Sequence, residues 1–118
     1  MDNITIKPFE VLDTEFCVES DDGQKIFDLI MEGFSADKVV TVDFDKIDLI
    51  TSSFLNSAFG QLYKDNSEDF VKSRLKVSNL ADIDIRLLKK VVDTAKLYYS
   101  DPEHMQRSID EIMGDTDE

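Results

Sequence analysis

The stretch that decides the fold is VVTVDFDKIDLITSSFLNSAFGQLY, residues 39–63. Its first part, residues 39–44, is a continuous run rich in β-branched residues and bounded by charges, which predicts a buried strand at the centre of a sheet. After the DKIDLI connector, apolar residues recur at helical spacing from Phe54 to Tyr63 and predict a helix. Thr51 or Ser52 is placed to cap that helix with its side-chain oxygen.

The flanking sequence adds further strands and helices. Residues 3–7 alternate apolar and polar side chains and are followed by Pro8, which predicts an edge strand. Residues 15–19 predict a second strand that pairs with the first as a hairpin across a turn at 12–14, and residues 75–78 predict another short strand. Helical periodicity recurs in three segments: residues 22–34, 82–99 and 103–113. This order predicts an α/β fold with a mixed sheet of about four strands, helices packed on it and an extra C-terminal helix.

The chain is strongly acidic, with 26 acidic and 13 basic residues among 118 and a formal net charge of −13. Such an excess repels phosphate backbones and anionic lipid headgroups, so we expect no direct binding to nucleic acid or membranes. Seven acidic residues against Arg107 give residues 101–118 a net charge of −6, which leaves −7 for residues 1–100. We therefore predict an α/β domain over 1–100 and a C-terminal amphipathic helix with an acidic tail over 101–118.

Residue types that carry catalysis or bind metals are sparse. Cys17 cannot form an internal disulfide, its acidic neighbours disfavour a thiolate, and His104 is the single histidine. Asp43 and Asp45 could be a carboxylate pair, but a metal needs a further ligand. With no glycine-rich phosphate loop and no nucleophile motif, we expect no enzyme activity, catalytic residue, metal or cofactor. With no secretory signal and no apolar run of membrane length, we expect a cytoplasmic protein.

Residues 42–63 also resemble a known family. The run VDFDKIDLITSS that enters the helix SFLNSAFGQLY is similar to the STAS-like domains of bacteria, relatives of the anti-sigma factor antagonists. In those antagonists a D-S-S-G-like turn opens the helix, and a partner kinase of the anti-sigma type phosphorylates its first Ser. Thr51 stands where they usually carry Asp, and Phe54 stands where they usually carry Gly. The resemblance implies a STAS-like fold, Ser52 as the phosphorylation site and a histidine-kinase-like ATPase as the partner.

The resulting hypothesis is a non-catalytic regulatory module that docks onto another protein. The predicted docking residues are Thr51, Ser52, Ser53, Phe54, Asn56, Asp45 and Asp48. A simple helix cap explains Ser52 and Ser53 as well, and the apolar stripe of the helix is either entirely core or partly a docking patch. The members of that stripe are Phe54, Phe59, Leu62 and Tyr63.

Two charged regions bear on the docking hypothesis. The predicted surroundings of Ser52 are acidic (Asp43, Asp45, Asp48), so a phosphate there should weaken the docking of an acidic partner. The basic cluster at residues 86–90 is either a solvated helix face or a surface that steers an acidic partner.

The alternative function is an acidic mimic of nucleic acid that occupies the positive groove of a nucleic-acid-binding protein. Deletion of residues 114–118 should weaken such a mimic and leave a STAS-like contact unchanged.

Overall fold

The central strand of the domain is β3 (Val39–Asp43). In the computed structural model, which describes residues 2–100, β3 lies between β1 (Asn3–Ile6) and β5 (Leu75–Ser78), and both neighbours run parallel to it. Val40 and Val42 are fully buried, because the sheet carries helices against the face to which they point. The predicted central strand, the N-terminal edge strand and the strand at 75–78 are confirmed.

A second parallel sheet consists of β2 (Phe16–Cys17) and β4 (Leu49–Ile50). The predicted hairpin between residues 15–19 and the N-terminal strand is wrong, because the residues before β2 form a short helix, α1 (Pro8–Leu12). Pro8 occupies a first-turn position of α1, where its missing N–H costs nothing, so it starts a helix as well as ending a strand. The α/β class is confirmed, but two parallel sheets of three and two strands replace the mixed sheet of about four.

The two long helices of residues 2–100 follow the predicted segments closely. They are α2 (Ser20–Ser35) and α6 (Asp82–Ser100). A shorter helix, α5 (Glu68–Arg74), precedes β5 and has no counterpart in the sequence prediction. Two sequence predictions fall outside the described residues: the helix over 103–113 and the acidic tail that follows it.

The helical stretch after Thr51 contains one wide turn. α3 (Ser52–Leu55) continues into a π-helical turn (Asn56–Gly60) and then into α4 (Leu62–Asp65). The wide turn is closed by the N–H of Gln61, which donates to the carbonyl oxygen of Asn56 at 3.3 Å. We call this stretch the segment 52–65. Its buried side chains are Phe54, Leu55, Ala58, Phe59 and Leu62.

The buried stripe of the segment 52–65 decides one of the open alternatives. Phe54, Phe59 and Leu62 are at most 1% exposed and belong to the core, so they are not an exposed docking patch. Tyr63 is half-buried, with the ammonium group of Lys96 5.7 Å from its ring centroid. The core interpretation is therefore correct for Phe54, Phe59 and Leu62.

Candidate functional site

The turn that carries Ser52 is capped by the residue before it. Thr51 has extended backbone angles, and its Oγ1 accepts a hydrogen bond from the N–H of Phe54 at 3.3 Å. The same hydroxyl donates to the carbonyl oxygen of Val18 at 2.8 Å, which ties the turn to the end of β2. Like a capping Asp, Thr51 accepts a hydrogen bond from a backbone N–H of the helix. Its hydroxyl also donates a hydrogen bond, which an ionised carboxylate cannot do. Thr51 therefore supplies the cap, and Ser52 and Ser53 lie exposed on the first turn.

Replacement of Thr51 by alanine should lower the free energy of unfolding by about 1–2 kcal/mol, because the helix loses its cap and the Val18 carbonyl loses a donor. Thr51→Ser is the matched control, since it keeps the hydroxyl and should stay within about 0.5 kcal/mol of the wild type. Urea unfolding followed by circular dichroism measures both. Equal destabilisation by the two variants would show that the methyl group, and not the hydrogen bonds, stabilises the turn.

The exposed serines lie in a groove between the segment 52–65 and α6. The groove has a volume of about 490 Å³. Its lining residues are Ser52, Ser53 and Asn56 from the segment and Leu87, Lys90, Val91 and Thr94 from α6. We call it the Ser52 groove. Its α6 wall begins 35 residues after Ser52 in the chain, so no local pattern around the serines could predict it.

A second depression adjoins the Ser52 groove at Leu87 and Lys90. Its volume is about 600 Å³, and it lies between β4 and the first half of α6. Two of its apolar residues are strongly exposed: Leu49 at 51% and Ile83 at 73%. Asp48 supplies a negative charge on the β4 side, and the α6 side carries both signs, with Asp84, Arg86 and Lys90.

The structure separates the predicted docking residues by position. Thr51, Ser52, Ser53 and Asn56 come together on one surface, where Thr51 is half-buried and the others are exposed. The remaining three are distributed as follows: Asp48 lines the second depression, Asp45 is exposed in the turn after β3, and Phe54 is fully buried. A partner that docks on this surface therefore meets Thr51, Ser52, Ser53 and Asn56, and not the buried Phe54 ring.

The charges around Ser52 are more mixed than the sequence indicates. Lys90 is the charged residue in the lining of the Ser52 groove. Asp43, which we counted as an acidic neighbour, is held in its own loop, where its Oδ1 accepts from the Asn79 side chain at 2.6 Å and from the Asp45 N–H at 3.0 Å. A phosphate on Ser52 would therefore share a groove with an ammonium group. The basic cluster of α6 is the signal in the sequence that could have indicated this.

The hydrogen bond from Asn79 lowers the pKa of the Asp43 carboxyl, and the N–H of Asp45 lowers it further. A carboxylate whose pKa is lowered by folding stabilises the fold above its unfolded pKa and loses that contribution as the pH falls through the folded value. We predict that Asn79→Gly moves the Asp43 pKa back towards its ordinary range. Glycine suits this position because Asn79 has a φ of 60°.

Carboxyl ¹³C NMR titration of Asp43 in the wild type and in Asn79→Gly measures the shift directly. Asn66→Ala is the control, since that amide donates to the carbonyl oxygen of Leu62 at 2.8 Å, away from this loop. An Asp43 pKa that does not rise in Asn79→Gly would contradict the assignment.

Cys17 and the acidic side chains are the other candidates for chemistry within residues 2–100. Burial raises the pKa of the Cys17 thiol to about 12, with a smaller effect from Asp22, so a thiolate does not form at neutral pH. Within the described residues, no group of three or more His, Cys, Asp and Glu side chains could hold a metal ion. None of the helices in this part of the chain is both long and apolar enough to span a bilayer.

A protein-family profile matches the chain. The profile of the STAS-like domain of unknown function (DUF4325) matches residues 22–84, more than half of the chain, and this span includes the Ser52 turn and strands β3 to β5. No curated protein and no solved structure matched. The match ends in the first turn of α6, so the α6 wall of the Ser52 groove lies beyond it. The chain belongs to the family of STAS-like domains of unknown function (DUF4325).

Proposed function

We propose that this protein is a cytoplasmic, non-catalytic regulatory module that docks onto another protein through the Ser52 turn. The observation that supports it is the exposure of Ser52 and Ser53 beside a groove, on a turn that Thr51 caps and ties to β2. A rigid turn presents the same surface to every partner, so little ordering entropy is lost on binding. The adjoining depression supplies exposed apolar area, at Leu49 and Ile83, of the kind that interfaces bury.

The proposed partner is a histidine-kinase-like ATPase of the anti-sigma type, as the STAS-like resemblance implies. The contact would use half-buried Thr51 together with the exposed residues of the turn and of the preceding connector. They are Thr51, Ser52, Ser53, Asn56, Asp45 and Asp48. Phe54 contributes from beneath, by holding the turn against the core.

We further propose that phosphorylation of Ser52 controls this docking. A phosphoserine adds about −1.5 to −2 charge and three acceptor oxygens at neutral pH. In the Ser52 groove that charge has Lys90 as a partner on α6. Phosphorylation would draw the Lys90 ammonium group to the serine and fill the groove, so a partner that enters it would be displaced.

The test is binding of the purified chain to an anti-sigma-type ATPase from the same genome, measured by calorimetry. Ser52→Ala should bind as the wild type does, and Ser52→Asp should bind about tenfold or more weakly, a loss of about 1.4 kcal/mol. Ser73→Asp, an exposed serine on α5, controls for added charge alone. Equal binding by Ser52→Ala, Ser52→Asp and the wild type would remove the phosphorylation switch and leave docking, whereas failure of the wild type to bind would overturn the proposal.

A further inference from the structure

A cavity of about 340 Å³ lies between β5 and α6. Leu88, Val92 and Lys96 line it from α6, and their spacing of four residues places them on one face of that helix. The Ser52 groove is lined by other residues of α6, so the two openings lie on different faces of the helix. We call this opening the β5–α6 cavity.

The position of α6 explains why the sheet is incompletely covered here. α6 packs closely on the segment 52–65, whereas β5 packs closely on β3 and α5. Leu75 and Val77 are paired in register with Val40 and Val42, so all four side chains point to the same face of the sheet. Val40 and Val42 are fully buried on that face, but Leu75 and Val77 are only half-buried. The cavity lies over this half-covered part of the sheet.

The walls of the β5–α6 cavity are mostly apolar. Its apolar lining consists of Phe59, Val71, Leu75, Val77, Leu88 and Val92. Phe59 and Val71 are 1% and 2% exposed, so they form its deepest part. Predominantly apolar walls with a few polar groups are typical of small-molecule sites. At about 30 Å³ each, the share of one water molecule in the liquid, the cavity has room for about ten non-hydrogen atoms.

The polar side chains of the cavity leave an excess of positive charge. They are Tyr63, Glu68, Lys72 and Lys96. Lys96 is paired with Glu68 at 2.9 Å, whereas Lys72, exposed on α5, takes part in none of the ion pairs formed within residues 2–100. Two ammonium groups against one carboxylate give the described lining a charge of +1, in a chain with a net charge of −13.

The protonation states of the other polar groups leave Lys72 as the uncompensated charge. Burial raises the pKa of the Tyr63 phenol, so this side chain is neutral at physiological pH. The hydrogen bond to Glu68 raises the pKa of the Lys96 ammonium group, so that ion pair persists over the same range. An anion that enters the cavity is therefore attracted chiefly to Lys72.

We propose that the β5–α6 cavity binds an aliphatic monocarboxylate of about eight carbons, a chain length that matches the number of atoms the cavity can hold. The chain would lie against the apolar walls and the carboxylate would accept a hydrogen bond from the Lys72 ammonium group. A second charge on the ligand would be desolvated against the apolar walls, which disfavours dicarboxylates. The proposal does not depend on docking at Ser52, since the described linings of the two sites share no residue.

Titration of the full ¹⁵N-labelled chain with octanoate, followed by ¹⁵N–¹H correlation spectra, tests the proposal. We expect saturable shifts at Val71, Val77 and Val92, and none at Ser52. Butyrate, which is four methylenes shorter, should bind at least tenfold more weakly because it buries less apolar surface. Octyltrimethylammonium has the same chain with the opposite charge and should also bind at least tenfold more weakly.

Two lysine variants test where the carboxylate lies. Lys72→Gln should weaken octanoate binding about tenfold, because the carboxylate loses its charged donor. Lys76→Gln is the matched control: Lys76 is an exposed lysine of β5 on the face opposite to Leu75 and Val77, and its removal changes the net charge equally. Lys76→Gln should bind octanoate as the wild type does. Equal affinities of the two variants would overturn the proposal.

A third variant tests the apolar walls. Val92→Phe fills the cavity, so it should abolish the octanoate shifts while far-UV circular dichroism shows that the fold is retained. Undiminished binding by a folded Val92→Phe would overturn the proposal. It would also be overturned if the wild type showed no saturable shifts at millimolar octanoate, if butyrate bound as tightly as octanoate, or if the shifts were centred on the Ser52 groove.

Discussion

Replacement of Phe54 by alanine will lower the free energy of unfolding by about 3–5 kcal/mol. The Phe54 ring is 0% exposed and meets Phe44 edge to face, with 6.4 Å between the ring centroids. Phe44 in turn packs on Phe59 at 6.1 Å. Truncation removes the ring that joins the Ser52 turn to the end of β3 and leaves a cavity between them. Total stabilities of single domains are about 5–15 kcal/mol, so the loss is a large part of the whole.

Equilibrium urea unfolding of Phe54→Ala measures the effect, with Phe16→Ala as the matched control. Phe16 is 45% exposed, so its truncation should cost less than about 1 kcal/mol. A loss below about 1 kcal/mol for Phe54→Ala would show that the ring is not a core residue. Phe54→Leu, which keeps most of the apolar volume, should retain the fold and any binding by the Ser52 turn, because Phe54 acts on that turn from beneath.

The elements that the sequence predicts correctly are those whose pattern is contained in one continuous stretch of the chain. The run at 39–44 has both the β-branched composition and the apolar continuity of a buried strand, and the structure places it at the centre of the sheet. The stripes of α2 and α6 extend over four or more turns, so helical periodicity is evident without tertiary information. The Ser52 turn is predictable for the same reason, since a cap and the helix that it starts are local.

The features that escape the sequence depend on short or distant contacts. α1 has five residues, and periodicity over so short a span does not distinguish a helix from a turn, which is why the N-terminal hairpin is wrong. The strands of the second sheet have two residues each and are paired across more than 30 positions. The Ser52 groove depends on the packing of α6 against the segment 52–65, so Lys90 could be recognised as basic but not as a neighbour of Ser52.

Replacement of Gly23 by alanine will destabilise the domain by about 1–3 kcal/mol, the cost of overpacking a core. A Cβ at this position would lie 2.5 Å from the carbonyl oxygen of Phe54 and 2.7 Å from the Cβ of Ser57. Neither atom is the end of a flexible side chain, so α2 must move away from the segment 52–65 to admit it. Alanine gains up to about 1 kcal/mol of helix propensity over glycine, and the prediction is that the steric cost exceeds this gain.

Gly60→Ala is the matched control, since Gly60 is also a buried helical glycine of the same contact region. There a Cβ would meet the Oδ1 of Asn56 at 2.5 Å, but Asn56 is exposed, and its amide can rotate away. Thermal and urea unfolding of the two variants should therefore differ, with Gly60→Ala within about 0.5 kcal/mol of the wild type. Equal effects would mean that α2 can move away from the segment 52–65 at little cost. A large loss confined to Gly23→Ala would show that the backbone of α2 packs directly against the turn that presents Ser52, so that the position of this turn depends on the core rather than on its own short helix.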